Sequence, residues 1–170
     1  MEFMQKLENI LHKHDSAGKR DPQGQSQGQE QAKPPCVASL DLMMVLIDSD
    51  VDELKSKLSS AVNPGNPLDS LFYLGEAREL VTVLHERLTM LELVMNEEGK
   101  RKIAEAKSLL DQIGDVISTA SHECAREAFL SGNIYDLVTC VSKKLGDYRS
   151  LLEKFRKLVE TLPMYVKAPP

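Results

Sequence analysis

Residues 134–162 read IYDLVTCVSKKLGDYRSLLEKFRKLVETL. Ile134, Val138, Val141, Leu145, Tyr148, Leu152, Phe155, Val159 and Leu162 recur in alternating steps of four and three. A helix of about 3.6 residues per turn gathers such positions onto one narrow face. The flanks are charged: Lys143, Lys144, Asp147, Arg149, Glu153, Lys154, Arg156, Lys157 and Glu160. A helix of a globular core usually widens its apolar stripe beyond two positions in seven. A narrow seam with charged flanks predicts an extended coiled coil or elongated helical bundle.

The same phase runs upstream through Ile103, Ala106, Leu110, Ile113, Ile117, Ala120 and Cys124, with Glu127 and Ser131 as its polar positions. Two readings are open. One is a single rod of about 60 residues, about 90 Å long. The other, preferred because Ser131-Gly132-Asn133 coincides with the polar seam positions, is a stop and recap at Gly132.

Two further helices precede this one. Ser39 is a good N-cap, and Leu40, Met44, Ile47, Val51, Leu54 and Leu58 follow at heptad steps. Asn63-Pro64-Gly65-Asn66-Pro67 ends that helix and turns the chain. Asn66 can cap the next helix, with Pro67 at its first position and Asp69 near its positive end. Its seam is Leu74, Ala77, Val81, Leu84, Leu88, Leu91 and Met95, and Glu97-Glu98-Gly99 breaks the register. The short turn predicts that these two helices lie antiparallel.

The expected fold is therefore all-α: an elongated antiparallel helical bundle or coiled coil with helical hairpins. Residues 1–14 form a short amphipathic helix with Phe3, Leu7, Ile10 and Leu11 on one face. Residues 15–38 form a flexible Gln/Gly/Pro-rich linker, since few apolar side chains offset the cost of ordering it. Residues 39–162 carry the heptads, and 163–170 are a tail.

Composition narrows the function. Aromatic residues make up 5% and Trp is absent, which fits a Leu, Val, Ile and Met core between helices. The net charge of −5 argues against nucleic acid, whose phosphates demand an excess of Lys and Arg. The longest apolar run, Leu42 to Ile47, is far short of the roughly 20 residues that span a bilayer, so no membrane insertion is expected. Cys36, Cys124 and Cys140 are odd in number and widely spaced, which reads as reduced thiols in a cytoplasmic protein.

No catalytic, cofactor or metal site is expected. His122-Glu123-Cys124 looks like a metal fragment, but helical residues two apart point in different directions; His12 and His14 have the same problem. The glycines form no phosphate loop. The residues expected to bind partners are the nine seam positions from Ile134 to Leu162, because that ribbon exceeds what one hairpin can cover.

The run Cys140-Val141-Ser142-Lys143-Lys144-Leu145-Gly146-Asp147-Tyr148-Arg149-Ser150-Leu151-Leu152 resembles the final helix of the dynactin subunit 3 family, the small coiled-coil shoulder subunit of dynactin. That family sets a hydrophobic-Ser-Lys group before an aromatic residue and a Leu-Leu pair. Leu71-Phe72-Tyr73-Leu74-Gly75-Glu76-Ala77 is similar to the start of its middle helix. The likeness covers residues 40 to 162, and the chain departs from the family in its Gln/Gly-rich linker. The resemblance implies a structural subunit supporting dynein-driven microtubule transport. It implies dynamitin and the large dynein-contacting subunit as partners, and a cytoskeleton-associated location. The alternatives are a monomeric helical adaptor for peptides or helices, and a subunit of another cytosolic coiled-coil complex such as a kinetochore or tethering assembly.

Overall fold

A computed structural model describes residues 35–168. The expected helix over 1–14 and nearly all of the expected linker lie outside the described residues. Among the described residues the secondary structure is helical: α1 (Pro35–Val62), α2 (Asp69–Glu92), α3 (Glu97–Ser131), α4 (Tyr135–Leu145), α5 (Tyr148–Glu160) and a closing 3-10 turn, Leu162–Tyr165. The described residues divide between two units that part between Ser49 and Asp50. In the first, residues 35–49 are helical and Leu40 and Ile47 are buried. The second holds the rest of α1 and all the later helices.

Turn chemistry fixes the helix ends. The Asn66 side chain accepts from Leu68 N–H at 3.1 Å, and its carbonyl accepts from Asp69 N–H at 2.9 Å. The expected cap therefore acts one step before the helix proper. α2 ends at Glu92, one turn short of its last seam position, Met95, and Asn96 caps α3 by accepting from Gly99 N–H at 2.8 Å. Glu97-Glu98-Gly99, which breaks the heptad register, is the first turn of α3, with both carboxylates at its positive end.

Of the two readings of the long heptad run, the break holds. Gly132 adopts φ 67°, a left-handed conformation open to glycine, and its N–H returns to Ala128 O at 3.0 Å. Asn133 then accepts from Tyr135 N–H at 3.0 Å and starts α4. The structure adds a second break. Gly146, at φ 51°, ends α4, and Asp147 caps α5 through Ser150 N–H at 3.3 Å. The heptad rhythm runs on across Gly146, so apolar spacing gives no sign of it.

α3 lies at the centre of this unit, packed against α2, α4, α5 and the 3-10 turn. Its neighbour α2 is antiparallel: Lys107 meets Glu92 at 2.7 Å, and His85 meets Asp111 at 2.7 Å. The part of α1 within the unit is antiparallel to α2, through Asp50–Arg87 and Lys57–Glu76, both at 2.5 Å. It reaches α5 through Asp52–Arg156. The heptad positions from Leu74 to Met95 and from Ile103 to Cys124 are all buried, as are Val51, Leu54 and Leu58 of α1.

The C-terminal end is strapped across the α2–α3 loop. Asn96 N–H donates to Tyr165 O and Lys167 N–H to Val94 O, each at 2.8 Å. Gly99 permits this closeness: a Cβ there would sit 2.8 Å from Tyr165 Cβ and 2.9 Å from Met95 Cβ. We expect Gly99→Ala to lower stability by about 1–3 kcal/mol, the range for overpacking, in urea unfolding. Gly114→Ala is the control. Its Cβ would meet Val81 Cγ1 at 3.4 Å, an ordinary contact, so the better helix propensity of alanine should leave it neutral or stabilised by up to about 1 kcal/mol.

Candidate functional site

The seam expected to bind partners is turned inward. Val141, Leu145, Tyr148, Leu152, Phe155, Val159 and Leu162 are each at most 5% exposed. The physical reason is the pair of breaks at Gly132 and Gly146. They break one long ribbon into three helices, and α4 and α5 both pack back on α3, which buries the seam within the chain. Only the first two seam positions escape. Ile134 is 36% exposed in the turn, and Val138 is half-buried. Leu137 and Cys140 join Val141 and Leu145 as the inward positions of α4, because the turn re-aims the start of the helix.

The densest open apolar surface among the described residues lies at the α3–α4 turn. Phe129 is 84% exposed, Leu130 71% and Tyr135 72%, with Ile134 beside them. Single exposed apolar residues are ordinary, but four within seven positions at one turn are not. Phe129 and Leu130 are legible in the sequence as outliers. They fall between the seam positions Glu127 and Ser131, so the heptad phase itself sets them off the buried face. A search confined to seam positions passes over them. More scattered exposures occur elsewhere: Leu68 and Phe72 near the start of α2, Met90 and Leu93 near its end, and Met164, the last two as open as the tip residues.

The hairpin carrying this tip is stapled. Cys124 and Cys140 form a disulfide, with a Cα–Cα separation of 5.5 Å, in the ordinary range. This corrects the expectation of reduced thiols for these two residues. On a continuous helix, 16 residues would separate them by about 24 Å. The turn at Gly132, midway between them in sequence, sets them face to face. Glu123 and Lys144 pair at 2.8 Å across the same two helices. Lys144 holds the Glu123 carboxyl below its ordinary range, and Glu123 raises Lys144 in turn. The Cys36 side chain lies outside the described residues.

Other polar groups are spread out. His85 and Asp111 stand over a groove between α2 and α3 of about 530 Å³, lined also by Arg78, Thr82, Leu110 and Gly114. A smaller hollow between α1 and α5 holds Lys55, Arg149 and Arg156 with Asp147 and Glu153, so its charge is mixed. Among the described residues no three His, Cys, Asp or Glu side chains are grouped to hold a metal ion, and no helix is long and apolar enough to cross a membrane. His12 and His14 fall outside the described residues.

Asp50 is the one buried carboxylate among the described residues. It is 3% exposed, and Arg87 Nε donates to it at 2.5 Å. Burial pushes its pKa up, against the lowering pull of Arg87. Neither hollow opens onto it, and its role is to tie α1 to α2. No protein-family model matches the chain, and neither a curated protein nor a solved structure matches it.

Proposed function

We propose that this chain is a non-catalytic helical scaffold: an antiparallel bundle that closes its own core and holds a partner subunit at the α3–α4 tip. The observation that carries the reading is the exposure of Phe129, Leu130 and Tyr135 on a hairpin fixed by a disulfide. Clustered aromatic anchors are what interface hot spots are made of. The resemblance to dynactin subunit 3 in Cys140–Leu152 and Leu71–Ala77 makes the shoulder of dynactin the complex to test first. Dynamitin and the large dynein-contacting subunit are then the partners, and the cytoplasm and microtubule cytoskeleton the location.

The test is capture of partners by the tagged full chain from cell extract, with the captured chains identified by mass spectrometry. Wild type should enrich a defined set of helical subunits, with dynamitin among them if the dynactin reading holds. Phe129→Glu/Tyr135→Glu should weaken capture at least about tenfold, because an anchor residue contributes about 2 kcal/mol or more. Its melting temperature should hardly move, since both side chains already face water. Equal capture by the double variant, or no specific companion at all, would sink the proposal.

A second reading has its own support in the groove between α2 and α3: a monomeric adaptor that accepts a peptide or helix there. Under that reading the tip variants leave capture intact.

A further inference from the structure

We infer that the Cys124–Cys140 disulfide is a redox latch: a soluble dithiol opens it and frees α4 from α3, while the rest of the unit stays folded. The inference goes beyond the scaffold reading and does not need the tip to be a docking surface.

α4 is built to depend on this bond. It has 11 residues, too few to persist as a helix alone. A glycine with positive φ stands at each end, Gly132 at 67° and Gly146 at 51°, so both flanks are backbone hinges. The buried side chains of α4 are Leu137, Cys140, Val141 and Leu145, so the disulfide takes one of four anchoring positions. Beyond the bond, α4 is held on α3 by the burial of Leu137, Val141 and Leu145 and by Glu123–Lys144, a half-exposed pair of the kind that adds little. The chain after α4 is held independently. Phe155 and Val159 are buried, Arg156 meets Asp52, and the strap over Asn96 and Val94 pins the C-terminal end. Loss of the bond therefore loosens a segment between two hinges and not the whole C-terminal region.

The exchange balances. Cys140, at 7% exposure against 0% for Cys124, is the less buried of the two and the one taken as the point of attack. A thiolate of the dithiol attacks Cys140 Sγ. The Sγ–Sγ bond breaks, and Cys124 leaves as a thiolate that takes a proton from water. The second thiol of the reductant then attacks the mixed disulfide and releases Cys140 as a thiol. Two electrons and two protons pass from the dithiol, which ends as its own disulfide.

The test is hydrogen exchange on the full-length chain, oxidised and then reduced with dithiothreitol under native conditions, with thiols counted by alkylation. Two thiols should appear on reduction. Amides of residues 135–145 should then exchange at least about tenfold faster, given what a loop of this length contributes, while those of 99–120 hold their protection. Cys124→Ala/Cys140→Ala should match the reduced protein and ignore dithiothreitol. The inference is overturned if the thiols are free before reduction, if the bond resists dithiothreitol in the folded chain, or if opening it leaves exchange in 135–145 unchanged. It is equally overturned if protection is lost throughout residues 50–168.

Discussion

Arg87→Ala should destabilise the protein by about 3–5 kcal/mol at neutral pH, the range for removing one partner of a buried ion pair. Asp50 sits at 3% exposure with the Arg87 guanidinium against it. Without that cation, the carboxylate must either stay charged and dry or take up a proton. Protonation caps the charge penalty. Holding an ordinary Asp neutral at pH 7 costs about 1.4 kcal/mol for each of about three pH units, or about 4 kcal/mol. The pH dependence follows from the sign of the shift. Burial already raises Asp50 above its ordinary value, and loss of Arg87 raises it further. Between the unfolded and folded pKa values the folded state holds a proton that the unfolded state lacks. Stability therefore falls as pH rises through that window and recovers as pH is lowered. Asp50→Asn leaves no buried charge and lets Arg87, 23% exposed, turn toward water; it should cost only about 1–2 kcal/mol. Urea unfolding of both variants at several pH values is the check. Equal losses without pH dependence would show that Asp50 is not left as a buried unpaired charge when Arg87 is removed.

The helices and their inward faces can be read from the sequence, because every apolar residue on the seams of α2 and α3 obeys a local rhythm that packing then honours. Leu74, Leu84, Leu110 and Ile117 need no knowledge of the fold to be placed. The breaks are less legible. Ser131-Gly132-Asn133 announces itself by composition, but Gly146 sits where the apolar spacing continues, and spacing carries no record of a backbone angle. The burial of the seam from Val141 to Leu162 within the chain follows from the same limit. A seam tells which face is buried, not whose surface buries it. Cys124 and Cys140 show the point in another form. Their equal distance from Gly132 is visible in the sequence, yet it means proximity only once the chain is known to reverse there. The exposed tip is visible too, as two large apolar residues out of phase.

Leu152→Asp decides between a core that the chain closes alone and a seam that it shares. Leu152 is 4% exposed in α5, which packs on α3. Replacing it removes a side chain whose burial contributes about 1.5–3 kcal/mol and inserts a carboxylate with no partner. That carboxylate must stay charged in an apolar site or be held neutral at a further cost of about 4 kcal/mol at pH 7. The combined loss of about 5–7 kcal/mol rivals the whole stability of a domain, about 5–15 kcal/mol. The isolated variant should therefore be largely unfolded, or melt far below wild type, when followed by circular dichroism. If α5 offered this face to another subunit, the isolated variant would instead melt like wild type and fail only in assembly, because the new charge would stay in water until the partner arrived. Phe129→Glu supplies the opposite case: an exposed position where a charge should leave melting alone and act only on binding. The two outcomes together separate what holds the chain folded from what it offers to others.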